Sequence, residues 1–187
     1  HNFFNDNILE LSKASNPLKD IDNNILKLCV VSRISSGKGF ERLLLLVKEL
    51  EEEKIKYIIN IIGKGRKREQ EYKDLFKDYK NVIFVGYRDN PYNYVKNSDY
   101  LVQLSDDESW CNSITEAKVL GVPVLVTNFE SSYEQIKDGY NGIIVDLNEK
   151  DYKNIIKRML NEKEILKDNL KNFKYHPEIE EWKEVFK

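Results

Sequence analysis

The sequence predicts a doubly wound α/β fold, with a mainly parallel sheet of about six strands and a C-terminal helical tail. Three observations carry this prediction. Short β-rich apolar runs alternate with longer stretches of helical spacing, the runs are apolar almost throughout, and no strand pattern follows residue 147. Continuous hydrophobicity marks strands covered by helices on both faces. A repeating strand-helix order marks a parallel sheet.

The elements follow in chain order. Residues 1–25 form a leading segment in which Asp6 to Ala14 has the pattern of one short helix. Strands are predicted at Leu26–Ser32, Tyr57–Ile62, Asn81–Val85, Tyr100–Leu104, Val122–Thr127 and Gly142–Val145. Between them Phe40–Glu53, Arg66–Tyr79, Tyr92–Asn97, Asn112–Leu120 and Tyr133–Lys137 carry apolar residues at helical spacing, so residues 26–147 make the α/β core. The tail, 148–187, shows three helical patches, around Ile155–Leu160, Ile165–Phe173 and Ile179–Phe186, with His176-Pro177 as a break. A length of 187 residues fits one domain.

Composition narrows the partners. The 30 basic and 32 acidic residues nearly cancel, which argues against nucleic acid and makes any anion site local. Cys29 and Cys111 are too few for a disulfide framework and fit free thiols in a reducing cytosol. No stretch approaches the roughly 18–20 apolar residues of a spanning helix. A cytoplasmic location is expected. The chain begins at His1 without Met, so it is expected to be a piece of a longer protein.

In open parallel sheets ligands lie beyond the carboxyl ends of the strands, which points to the loops there. The first strand runs through Ser32-Arg33-Ile34-Ser35-Ser36-Gly37-Lys38-Gly39 into a helix. Two glycines allow a tight turn, and Arg33 and Lys38 bring positive charge beside a helix start. A strand-to-helix turn with two solvated cations has the same composition. A P-loop is excluded by Phe40, and a dinucleotide fingerprint by Arg42 and, at the second Gly-x-Gly (Gly63, Gly65), by Arg68.

The fourth strand leads into Asp106-Asp107-Glu108-Ser109-Trp110-Cys111-Asn112-Ser113-Ile114-Thr115-Glu116. In one continuous helix Glu108 and Glu116 would stand about 12 Å apart and roughly 80° out of phase. If Glu108 is in a loop and a helix starts near Asn112, the amides of Asn112, Ser113 and Ile114 face an anion and one ligand meets both carboxylates. A solvated acidic loop is the plain alternative, which does not account for Trp110. A metal is not expected, because the two histidines, His1 and His176, lie far from this loop. Gly86-Tyr87-Arg88 after the third strand offers an aromatic to flank a base, although a packing role is common for such a residue. Glu134 after the fifth strand is a weaker candidate, and Asp138–Gly142 is turn chemistry.

Taken in order, these residues resemble the C-terminal domain of glycosyltransferase family 4, retaining enzymes of the GT-B architecture with two Rossmann-like halves. The resemblance rests on Ser32-Arg33 with Lys38-Gly39-Phe40, Ile62-Gly63-Lys64-Gly65, Val82-Ile83-Phe84-Val85-Gly86, Ser98-Asp99-Tyr100, Ser105 with Glu108 and Glu116-Ala117, Gly121-Val122-Pro123-Val124 and Asn141-Gly142. It spans Leu28 to Val145. The resemblance implies that Arg33 and Lys38 hold a donor diphosphate in place of a metal, that Glu108 holds the transferred sugar and that Glu116 holds the ribose. Gly37, Gly86, Tyr87, Arg88 and the amides of Asn112, Ser113 and Ile114 complete the implied donor site.

The implied substrate is a nucleotide-diphosphate sugar, UDP-sugar favoured, with no cofactor. The implied reaction is transfer with retention to an acceptor hydroxyl, of a polysaccharide or lipid-linked glycan. The acceptor domain of this family is N-terminal and expected to be absent here, so this chain alone is expected to bind donor with little or no transfer of sugar. The longer protein is expected to work in the cytoplasm, with peripheral contact at the inner face of the membrane. Ser109-Trp110-Cys111 departs from the family's Gly-Phe and small residue, which bears on donor identity. The alternatives are an epimerase or phosphorylase of the same architecture, and a non-enzymatic flavodoxin-like signalling module.

Overall fold

The computed structural model describes residues 7–66 and 68–173. The elements are α1 (Ile8–Leu11), β1 (Leu26–Val31), α2 (Phe40–Glu52), β2 (Tyr57–Ile62), α3 (Glu69–Leu75), β3 (Val82–Gly86), α4 (Tyr92–Lys96), β4 (Tyr100–Gln103), α5 (Asn112–Val119), β5 (Val124–Thr127), α6 (Ser132–Gln135), β6 (Gly142–Val145) and α7 (Lys153–Leu170). The six strands are parallel in the order β3-β2-β1-β4-β5-β6. The chain builds outward from β1 to β3, then returns to β1's other side with β4, pairing Leu28 with Tyr100 and Cys29 with Leu101. The order reverses between β1 and β4, where a crevice opens at the strands' carboxyl ends.

Alternation along each strand sorts side chains into two cores. Leu28, Val30, Ile59, Ile61, Tyr100 and Val102 meet α2, α3 and α7, while Cys29, Leu101, Val124 and Val126 meet α1, α4 and α5. Helix α2 contributes Phe40, Leu43, Leu46, Val47 and Leu50 on one stripe. Each such side chain contributes roughly 1.5–3 kcal/mol on burial, which explains why a helix of mixed polarity docks firmly.

The predicted elements and the structure differ in physically informative places. The tail patches at 155–160 and 165–173 are one helix, α7, up to Leu170. The polar stretch between them, Asn161-Glu162-Lys163-Glu164, consists mostly of good helix formers. Glu162 pairs with Arg158 one turn earlier at 2.7 Å, and Ile156, Met159, Leu166 and Leu170 keep one buried face through it. The patch at Ile179–Phe186, the His176-Pro177 break and the start of the first predicted helix at Asp6 lie outside the described residues. Val122 is not strand: its N–H donates to Ala117 O at 2.9 Å and finishes α5 around left-handed Gly121. Among the described residues no helix is long and apolar enough to cross a membrane.

The opposite end of the sheet is latched to α7. Asp99 accepts the Lys27 N–H at 2.9 Å and Lys167 Nζ at 2.8 Å, with Lys163 Nζ at 3.3 Å. Burial alone would raise this carboxyl, but Lys167, the Lys27 amide and Lys163 together hold it below the ordinary aspartate range. A depressed folded value stabilises the chain above the unfolded value and loses that stabilisation on acidification. Asp99→Asn is therefore expected to cost about 1.5–3 kcal/mol at neutral pH and to flatten the decline below about pH 4. Urea unfolding of both proteins from pH 7 to 3 measures this, and parallel curves would contradict it.

Candidate functional site

The crevice between β1 and β4 is shaped by two loops in backbone contact. Gly39, left-handed at φ +75°, caps α2, and a Cβ there would lie 1.8 Å from Leu104 O. Two residues earlier Gly37 O accepts the Asp106 N–H at 2.9 Å. Only glycine permits this approach. The contact sets Lys38 between two fixed points and aims it across the crevice, where Lys38 Nζ meets Glu108 Oε1 at 2.5 Å. Both side chains are largely buried, at 16% and 17% exposure.

The same carboxylate oxygen takes two neutral donors, Ser105 Oγ at 2.8 Å and Gln103 Nε2 at 3.0 Å. The acidic loop is anchored from behind by β5 and α6. Thr127 Oγ1 donates to Ser105 O at 2.6 Å and Ser131 Oγ to Glu108 O at 2.7 Å. In the orientation that satisfies both amide atoms, Gln135 donates to Cys111 O at 2.9 Å and accepts the Cys111 N–H at 3.3 Å. A loop with this many fixed backbone atoms holds Glu108 without belonging to a helix.

Helix α5 begins at Asn112, so Glu108 lies in the loop and Glu116 one turn into the helix. Of the two arrangements considered from the sequence, the loop followed by a helix is the one observed, although Glu116 does not line the cavity with Glu108. Arg33, Lys38, Glu108, Asn112 and Ser113 line one cavity of about 210 Å³, together with Val31, Ser32, Gln103, Trp110 and Cys111. Trp110 stands at its wall, 47% exposed. Burial pushes the Cys111 thiol above its ordinary value, with Ser113 opposing and Glu108 adding to the rise. Arg33 is exposed and makes no ion pair with any described residue.

Other predicted residues fall elsewhere. Ile114 is a correction. Its side chain is fully buried and its amide donates back to Cys111 O at 3.1 Å, because the first turn of α5 closes on itself, so that amide is not offered to the cavity. Gly37 acts through its carbonyl on Asp106. Glu116 is partly buried beside Tyr92, whose hydroxyl is 3.4 Å from Oε1; burial raises its carboxyl and Tyr92 opposes the rise. Gly86, Tyr87 and Arg88 sit at the end of edge strand β3, with Tyr87 under Lys64 Nζ at 5.0 Å, and they do not line this cavity. β3 is separated from the crevice by β2, which the sequence pattern alone does not reveal. Asp106 turns to Arg42 at 2.5 Å, and Arg42 also binds Leu104 O and Leu147 O. Among the described residues no group of three or more His, Cys, Asp or Glu is arranged to hold a metal ion.

Gln103 and Ser131 escaped the sequence reading. Each is a single polar residue without a motif, and its role comes from what the sheet places opposite it.

The fold places a cation and a carboxylate at a topological switch point, and comparison with known families gives the class: the chain belongs to the glycosyl transferases group 1, whose profile matches residues 14–176. Membership decides against the signalling module. An uncharacterized glycosyltransferase of Methanocaldococcus jannaschii is 29% identical over 184 residues, covering 90% of this chain and 47% of the relative. The O-antigen biosynthesis glycosyltransferase WbnH of Escherichia coli is 30% identical over 125 residues, covering 67% and 35%. The chain thus spans less than half the length of these curated relatives. Among solved structures, Anabaena HepE in complex with UDP and glucose superposes with a TM-score of 0.69 at 23% identity, covering 80% of this chain and 42% of that one. WaaG, a glycosyltransferase of lipopolysaccharide biosynthesis, superposes with a TM-score of 0.71 at 19% identity, covering 90% and 46%.

Proposed function

We propose that this chain is the donor-binding part of a retaining glycosyltransferase of family 4, and that it binds a nucleotide-diphosphate sugar, UDP-sugar favoured, without a metal. The observation that carries the reading is the meeting of Lys38 Nζ and Glu108 Oε1 in the crevice beside Arg33. A cation and a carboxylate in one cavity suit a ligand with an anionic diphosphate at one end and hydroxyls at the other. The crystallised complexes of HepE with UDP and with UDP-glucose support the same ligand class.

In this reading Arg33 and Lys38 hold the diphosphate. As the glycosidic bond breaks, charge grows on that leaving group, and two cations beside it stabilise that charge more than they stabilise the ground state. Glu108 positions the transferred sugar through its hydroxyls, and Glu116 holds the ribose from the helix. The amides of Asn112 and Ser113 remain available at the start of α5. The acceptor, a polysaccharide or lipid-linked glycan, is held by another domain of the longer protein, which works in the cytoplasm with peripheral contact at the membrane's inner face. This chain alone binds donor and does not transfer.

Calorimetric titration of UDP into the wild type, Arg33→Ala and Lys38→Ala tests the reading. Each substitution is expected to weaken binding by about tenfold or more, roughly 1.4 kcal/mol. Equal affinity in all three proteins would sink the proposal.

A further inference from the structure

Four buried polar atoms among the described residues have no hydrogen-bond partner: Asn60 Nδ2, Gln103 Oε1, Ser132 Oγ and Tyr152 Oη. Buried polar groups are nearly always paired, so each exception calls for a cause. Gln103 alone of these residues lines the cavity of the proposed donor site. Its side chain ends β4 and is 3% exposed.

The orientation of the Gln103 amide follows from its neighbours. Ser105 spends its one hydroxyl hydrogen on Glu108 Oε1 at 2.8 Å, so towards Gln103 it can only accept. A carboxylate likewise only accepts. Both therefore require the NH2 side of Gln103, which donates to Ser105 Oγ at 2.8 Å and to Glu108 Oε1 at 3.0 Å. The carbonyl oxygen is left turned away, with an unused capacity to accept. Only a hydrogen donor can complete it. A diphosphate carries acceptors alone at neutral pH, whereas the ribose, the base and the transferred sugar carry donors, and the transferred sugar is the part assigned above to Glu108, which Gln103 touches.

We propose that Gln103 is a specificity-determining residue for the donor sugar: its Oε1 accepts a hydrogen bond from a sugar hydroxyl, while its Nε2 positions Glu108 to accept from a neighbouring hydroxyl. This inference rests on the donor-binding reading above. In the resting arrangement Oε1 is covered. A sugar hydroxyl reaches it only if the lining of the cavity shifts on binding. The site then reads two adjacent hydroxyls with two adjacent acceptors, one neutral and one charged. Losing the neutral acceptor costs the sugar more affinity than it costs the nucleotide.

The test is titration of UDP, UDP-glucose, UDP-galactose and UDP-N-acetylglucosamine into the wild type and Gln103→Met, a substitution of similar volume. The wild type is expected to bind at least one sugar nucleotide more tightly than UDP. Gln103→Met is expected to lose about tenfold more affinity for that sugar nucleotide than it loses for UDP. A sugar preference that survives in Gln103→Met overturns the proposal, as does loss of UDP binding by a folded Gln103→Met, which would make the side chain a general support of the cavity. If the wild type binds UDP but no sugar nucleotide more tightly, this inference fails alone. If it binds no UDP, the donor-binding reading fails first. Should Gln103→Met not fold, Gln103→Glu keeps the shape and an acceptor but lacks both N–H donors. Its sugar preference is expected to be lost at pH 8 and to return as acidification towards about pH 5 restores a donating hydrogen. A preference unchanged across that range overturns the proposal.

Discussion

Gly39→Ala is expected to lose about 4 kcal/mol of stability or more, lowering the melting point by roughly 8–16 °C for a domain of this size. Two costs add. The first is the left-handed backbone at φ +75°, worth about 1–2 kcal/mol for an alanine. The second is steric: the new Cβ would stand 1.8 Å from Leu104 O and 2.3 Å from Leu104 C, and neither backbone atom can turn aside as a side chain does. Relief requires α2 to withdraw from the end of β4, which strips contacts from Phe40 and Leu43 in the core. Gly121→Ala is the internal control. Gly121 has nearly the same φ, +73°, but nothing lies within 4 Å of its Cβ position, so it should show the backbone cost alone. Thermal melts of both variants separate the two costs, and equal losses would show that the close approach at Gly39 is not rigid.

Glu108→Gln is expected to bind UDP about three- to tenfold more tightly than the wild type, a gain of roughly 0.7–1.4 kcal/mol, whereas Lys38→Met binds it less tightly. The opposite signs follow from one ion pair. In the ligand-free chain Lys38 is engaged by Glu108 at 2.5 Å, so a diphosphate must compete with the carboxylate for it. Neutralising Glu108 removes the competitor and a nearby like charge. Removing Lys38 takes away the ligand's partner and leaves Glu108 with two neutral donors, Ser105 and Gln103. Stability should respond as well. Breaking a mostly buried pair from one side costs about 2–3 kcal/mol, and the double variant should cost less than the sum of the singles. UDP titration with urea unfolding of the three variants measures both effects. UDP affinity unaltered by Glu108→Gln would show that the pair and the nucleotide do not compete.

The elements most legible in the sequence were those whose signal is local. β2 and β6 agree at both ends because a run such as Tyr57–Ile62 is apolar and bounded by polar residues. α5 starting at Asn112, with Glu108 outside it, also follows from local pattern. Features that depend on what lies opposite in space were harder to read. Val122 looks like strand, but its amide is taken by Ala117 in closing a helix. Lys163 lies in what looks like a polar interruption of the tail and Lys167 in the patch after it, yet both reach Asp99 from one continuous helix. Tyr87 and Arg88 follow a strand end, as the other site loops do, but theirs is the edge strand. Ile114 belongs to the right helix terminus, and the way its first turn closes takes its amide out of use. Gln103 is one polar residue at the end of an otherwise apolar strand, and its meaning arises only when Ser105 and Glu108 fold back onto it.

The pairing of charges around the crevice also bears on how a ligand arrives. Lys38 is matched by Glu108 and Arg42 by Asp106, which leaves Arg33 as the lining cation without a counter-ion among the described residues. A crevice whose other charges are paired projects little potential beyond the Debye length, about 8 Å in physiological salt. In the proposed donor-binding reading, incoming nucleotide is therefore steered only weakly from a distance, and its encounter rate is expected in the ordinary range for undirected collisions. In that reading selection happens after arrival, as an exchange in which the anion takes Lys38 from its carboxylate. Such a design admits many anions to the rim and retains those able to complete the exchange.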